Sequence, residues 1–98
     1  MKDKFPCVYL LASKPNGVLY LGVTSDLIKR IWQHKNVFVD GFSKKYNVHN
    51  LVWFESHVYM ESAIMREKRI KKWARDWKVA LIEENNPGWA DLYDQIIG

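Results

Sequence analysis

The sequence predicts a small α/β domain of the α+β kind, a mainly antiparallel three-stranded sheet flanked by helices. Three observations predict it. Two short apolar runs, residues 7–12 (Cys-Val-Tyr-Leu-Leu-Ala) and 18–24 (Val-Leu-Tyr-Leu-Gly-Val-Thr), are rich in strand formers and are joined by the turn chemistry of Ser13-Lys14-Pro15-Asn16-Gly17. A third such run follows at Leu51-Val52-Trp53-Phe54. Elsewhere the apolar period changes to that of a helix, with Leu27, Ile31 and their neighbours in one stretch and Met60, Ala63, Ile64, Ile70 and Ala74 in another.

Size and composition bound the reading. At 98 residues, the chain is expected to be a single domain over residues 1–98, and a 48% hydrophobic content with 14% aromatics supplies a core and argues against disorder. The formal charge of +4 favours an anionic partner. A single cysteine, Cys7, excludes an internal disulfide and a thiolate-only metal site, which fits a reducing, cytoplasmic compartment. The opening residues lack the apolar centre of a signal peptide, and no run approaches the length of a membrane span, so no membrane partner is expected.

The first two runs read as an antiparallel hairpin. Pairing Ser13 with Val18 across the turn sets Leu11 opposite Tyr20 and Tyr9 opposite Gly22. Both tyrosines then project from one face, and the glycine leaves room for a ring. From about Ser25 to Lys35 a helix follows, with Thr24, Ser25 or Asp26 available as its N-cap. Leu27, Arg30, Ile31 and His34 share its inner side. Residues 36–49 read as an irregular loop carrying Asp40-Gly41 and Lys44-Lys45. After the third strand, helix resumes near Tyr59 to Met60, breaks near Trp73 to Asp76 and continues to about Glu84. Asn85-Asn86-Pro87-Gly88 ends it. Trp89, Leu92, Tyr93 and Ile96 have the spacing of a docked amphipathic helix. Trp53, Trp73 and Trp77 read as core or core-edge packing.

Glu67 is the anomaly in this pattern. It falls at the centre of the apolar stripe formed by Met60, Ala63, Ile64, Ile70 and Ala74. A carboxylate there requires either an ion pair, with Arg30 or a lysine, or a metal ion. The rest of that helix is basic. Seven positive residues between Arg66 and Lys78 face two acids, a local +5 that exceeds the charge of the whole chain. Lys68, Arg69 and Lys72 fall on one exposed arc, suited to a phosphate backbone. Arg30 can hold a phosphate bidentately and stabilise charge in a pentavalent transition state. His34, four residues on, can move a proton near neutral pH.

Taken together, Cys7-Val8-Tyr9, ten residues, Tyr20-Leu21-Gly22, then Thr24, Leu27, Arg30 and His34, and later Glu67, resemble the GIY-YIG nuclease superfamily, in particular its small stand-alone members. The likeness extends to the Arg-Glu-Lys-Arg-Ile-Lys-Lys-Trp helix and the Asn-Pro-x-Trp-x-Asp-Leu-Tyr ending. It implies that Tyr9 and Tyr20 position or activate the attacking water, that Arg30 contacts the scissile phosphate and that His34 assists proton transfer. It also implies that Glu67 is the one protein ligand of a Mg²⁺ or Mn²⁺ ion, completed by water and phosphate oxygens. Three departures stand out: only the tyrosine of Cys-Val-Tyr matches the first motif, Val23 occupies the place of a lysine in the excision-repair branch, and the family's late asparagine is matched only by Asn85 or Asn86, which read instead as a helix stop before Pro87.

The expected function is therefore a metal-dependent endonuclease hydrolysing DNA, with DNA repair as its setting. Lys44, Lys45, Lys68, Lys71 and Lys72 are expected to contact the backbone. Phosphate contacts carry little sequence information, so a branch, nick or flap is a better substrate than a defined site. A nucleic-acid-binding module that does not cleave and a protein-interaction module on the same fold are the competing readings.

Overall fold

The computed structural model describes residues 4–36 and 45–98. The strands are β1 (Cys7–Ala12), β2 (Leu19–Thr24) and β3 (Asn50–Ser56), and the helices are α1 (Leu27–Asn36), α2 (Met60–Lys71), α3 (Arg75–Asn85) and α4 (Tyr93–Ile97). They form a three-stranded antiparallel sheet in the order β2-β1-β3.

The central strand is buried along its whole length, so its side chains, alternating across the pleat, feed two cores. Val8, Leu10 and Ala12 pack with Ala63, Ile70 and Ile82 of α2 and α3. Cys7, Tyr9 and Leu11 pack on the other face with Leu27, Ile31 and Ile96 of α1 and α4. Helices thus cover both faces of the sheet. In β3 the register slips between Leu10 and Leu11, where Trp53 and Leu51 are the successive partners and Val52 is the extra residue. Such a bulge explains how the consecutive residues Val52 and Trp53 both reach the α2 side.

The hairpin has the expected register. Tyr9 is opposite Gly22 and Leu11 opposite Tyr20, and the Ser13 amide donates to the Val18 carbonyl at 3.0 Å. Asn16 takes the left-handed conformation with φ 60°, which asparagine tolerates better than most residues. Arg75, at the start of α3, donates to the Asn16 and Gly17 carbonyls and holds the turn.

The two edges of the sheet are treated differently. Along β3, Leu51 donates its amide to Asp91 Oδ1 at 3.1 Å, accepts from the Leu92 amide at 2.7 Å, and the Val52 carbonyl accepts from Asn86 Nδ2 at 3.1 Å. That edge is closed by the tail. Among the described residues, the outer edge of β2 pairs with no strand, and the candidate site lies along it.

Three sequence expectations are corrected. Trp77 is 63% exposed instead of packed, because α3 turns Ile82, not Trp77, into the core. Trp89 precedes the last helix with φ 57°, a strained conformation held by burial and by its indole N–H donating to Glu83 at 2.8 Å. The break between α2 and α3 falls at Lys72 to Ala74, slightly earlier than predicted.

Candidate active site

Strands β1 and β2 and helix α1 bring the first three side chains together. The Tyr9 hydroxyl lies 3.1 Å from His34 Nε2, and the Tyr20 ring packs edge-on against the same imidazole with centroids 5.2 Å apart. The tyrosine rings are 6.4 Å apart. Tyr9 is only 2% exposed and His34 3%, whereas Tyr20 is half-buried. This depth depends on Gly22. A Cβ built there would stand 2.4 Å from the Tyr9 hydroxyl oxygen and from its ring, so no larger residue fits while the tyrosine keeps its place.

Helix α1 is set by its N-terminus. Asp26 accepts from the Lys29 amide at 3.3 Å and Thr24 Oγ1 accepts from the Asp26 amide at 3.1 Å. That entry turns Leu27, Ile31 and His34 inward. Arg30 lies one turn before His34 on the same side, so their Cβ atoms are about 5–6 Å apart. Arg30 lines a recess of about 310 Å³ with Lys4, Thr24, Ser25, Asp26, Lys29 and Gln33.

Glu67 comes from the other layer. It lines a cleft of about 430 Å³ with Leu19, Tyr20, Leu21, Lys71 and Lys78. Leu19 and Leu21 point to one face of β2 and Tyr20 to the other, so this cleft runs along the strand's open edge, where both layers of the molecule meet. The edge is what lets a carboxylate from α2 approach a tyrosine on the α1 side. Glu67 was expected at the centre of a buried stripe; it is half-buried, and Ile64 beside it is 37% exposed. The reason is that the buried positions of α2 are Ala63 and Ile70, leaving Glu67 at the margin of the packed face. Nor is the ion pair with Arg30 or a lysine formed: the ion pairs among the described residues include neither Glu67 nor Arg30.

The proposed backbone contacts divide. Lys71 is in the cleft, while Lys68 and Lys72 line a separate groove with Met65, Arg69 and Trp73. Lys45 is exposed, its ammonium 5.4 Å from the centre of the Tyr46 ring. Lys44 lies outside the described residues. Of the other cations near α2, Arg66 is engaged by Glu55 at 2.9 Å and Arg75 by the hairpin turn. Lys78 joins the cleft from α3. Sequence reading counted it only in the basic run, although its position after the helix break carried no signal of which way it would face.

Among the described residues, no group of three or more His, Cys, Asp and Glu side chains is placed to hold a metal ion. A single carboxylate without an ion-pair partner suits a hard cation whose shell is mostly water and phosphate oxygen, and suits a thiolate- or imidazole-seeking metal poorly. Burial pushes the Cys7 thiol pKa up, and the cysteine lies in the core, away from the cleft.

No described helix is long and apolar enough to cross a membrane. No curated protein and no solved structure matches the chain. The family model of the GIY-YIG catalytic domain, however, matches residues 5–80, a span that includes the tyrosine pair, Arg30, His34 and Glu67. A nuclease-type function with a nucleic-acid substrate, and the general dependence of such nucleases on a divalent metal, come with that match: the chain belongs to the GIY-YIG catalytic domain family.

Proposed function

We propose that the protein is a metal-dependent endonuclease that hydrolyses phosphodiester bonds in DNA and selects its substrate by structure rather than sequence. The observation that carries this reading is the Glu67 carboxylate, free of any ion pair among the described residues, in a cleft shared with Tyr20 and flanked by Lys71 and Lys78.

The side chains divide by depth. Tyr20, Arg30 and Glu67 reach the surface and meet the substrate. Arg30 holds the scissile phosphate and offsets the charge that builds on its oxygens in the transition state. Tyr20 orients the attacking water for in-line displacement. The water proton passes toward His34, and the leaving oxygen takes up a proton from solvent as its bond to phosphorus breaks. Tyr9 is as deep as His34, and its hydroxyl, 3.1 Å from Nε2, holds the imidazole's orientation. It is a positioning residue. Glu67 would hold Mg²⁺ or Mn²⁺, which supplies Lewis acidity at a phosphate oxygen and lowers the pKa of bound water. Lys71 and Lys78 place positive charge beside the carboxylate, a role that Val23 cannot fill.

The test is cleavage of labelled single-stranded, duplex, nicked, flapped and branched DNAs with Mg²⁺ or Mn²⁺, by the wild type and by Arg30→Ala. The expected result is cleavage of at least one junction-containing substrate, slowed about a hundredfold or more in the folded variant. Salt-sensitive binding with no cleavage of any substrate would instead identify a non-cleaving binding module.

A further inference from the structure

On the opposite side of α2 from Glu67 lies a groove of about 490 Å³ lined by Met65, Lys68, Arg69, Lys72 and Trp73. Its floor is apolar and its rim carries three cations and no acid. Met65 is 63% exposed. Trp73 packs edge-on against Trp77 with centroids 5.7 Å apart, and Trp77 is itself 63% exposed. Arg66 stacks near the Trp73 ring at 5.3 Å. A hydrophobic contact between protein domains does not need this density of positive charge, and a purely electrostatic backbone contact does not need an indole left largely in water at Trp77 beside a half-buried one at Trp73. Indole rings beside cations suit a ligand with alternating π-faces and phosphates.

We propose that this groove is a binding site for an unpaired, single-stranded segment of nucleic acid, with bases stacking at Trp77 and Trp73 and phosphates on Lys68, Arg69 and Lys72. It rests on the nucleic-acid reading above and specifies which substrates it favours. The geometry accounts for the preference. Met65 and Lys72 lie about 160° and 140° around the helix from Glu67, so a strand that occupies both the cleft and the groove must pass around a helix about 10–12 Å across. A duplex, stiff over about 150 base pairs, does not follow that path, and its bases are already stacked within it. A single strand follows it and presents free bases.

The experiment measures binding by fluorescence anisotropy, in the presence of a chelator so that nothing is cleaved. The ligands are a labelled single strand of about a dozen nucleotides and its duplex. For Trp77→Ala, the ratio of single-strand to duplex affinity falls about fivefold or more, while Trp77→Phe restores most of it. Lys72→Glu, which leaves both indoles in place, weakens single-strand binding as well. An unchanged ratio in folded Trp77→Ala overturns the proposal, as does an equal loss for both ligands. So does displacement by an acidic aromatic peptide that binds more tightly than the strand. Because no turnover is read, a catalytically silent protein with the expected ratio would sink the nuclease reading alone, and an active one with a flat ratio would sink this inference alone.

Discussion

Gly22 shows how much one residue decides. Its missing side chain is the space that the Tyr9 hydroxyl occupies on its way to His34. Gly22→Ala is expected to destabilise the protein by about 1–3 kcal/mol, since overpacking a tight contact costs that much, and to lower cleavage further by moving the phenol off the imidazole; urea denaturation and a rate comparison check the two effects. This pairing was legible in the sequence because the turn fixed the register and the register fixed the faces. The depth of Glu67 was not. A helical wheel gives an angle but not where the neighbouring sheet ends, and it is the end of the sheet at β2 that leaves the carboxylate half-buried. At Cys7, burial raises the thiol pKa, with a weaker opposing effect from the Ser56 hydroxyl at 3.5 Å. A raised folded value means the neutral thiol is favoured in the core. Its contribution to stability is fully present below the unfolded pKa and is lost as the pH rises from there through the raised folded value. Native protein at neutral pH is therefore expected to resist a thiol alkylating reagent that modifies the unfolded chain at once, as read by mass.

At the scale of elements, the contrast between the two sheet edges organises the molecule. The Asn-Pro-x-Trp-x-Asp-Leu-Tyr stretch, visible in the sequence as a helix stop followed by an amphipathic tail, closes the β3 edge. Asn86 is its fulcrum. Its Nδ2 donates to the Val52 and Ala90 carbonyls and its Oδ1 accepts from the Ala90 amide. Asn86→Ala is expected to cost about 2–3 kcal/mol in urea melts, the penalty for buried backbone groups left unpaired, with little change in the cleft itself. Periodicity located that stretch, but only the fold reveals that its side chains replace a strand. The same limit applies to Trp77. Aromatic residues in a helix usually pack, and nothing in the local pattern distinguished Ile82, which does, from Trp77, which does not.

Across the whole molecule, the positive charge of the segment between Arg66 and Lys78 is shared among different tasks. Arg66 and Arg75 brace the fold, Lys71 and Lys78 flank the cleft, and Lys68, Arg69 and Lys72 rim the groove. Binding to DNA is expected to weaken steeply with salt, and Lys71→Ala and Lys72→Ala are each expected to reduce the slope of log affinity against log salt by about 1. Titrations at several salt concentrations check this. The central claim is that Glu67, reaching over an open strand edge beside Tyr20, makes this chain a metal-dependent nuclease. The most direct measurement is single-turnover cleavage of the preferred DNA with Mn²⁺ by wild type and by Glu67→Gln, an uncharged near-isostere at a half-buried position, with folding checked by circular dichroism. The account predicts cleavage by the wild type and a loss of about a hundredfold or more in the folded variant, with DNA binding retained. Equal rates in the two proteins would contradict it.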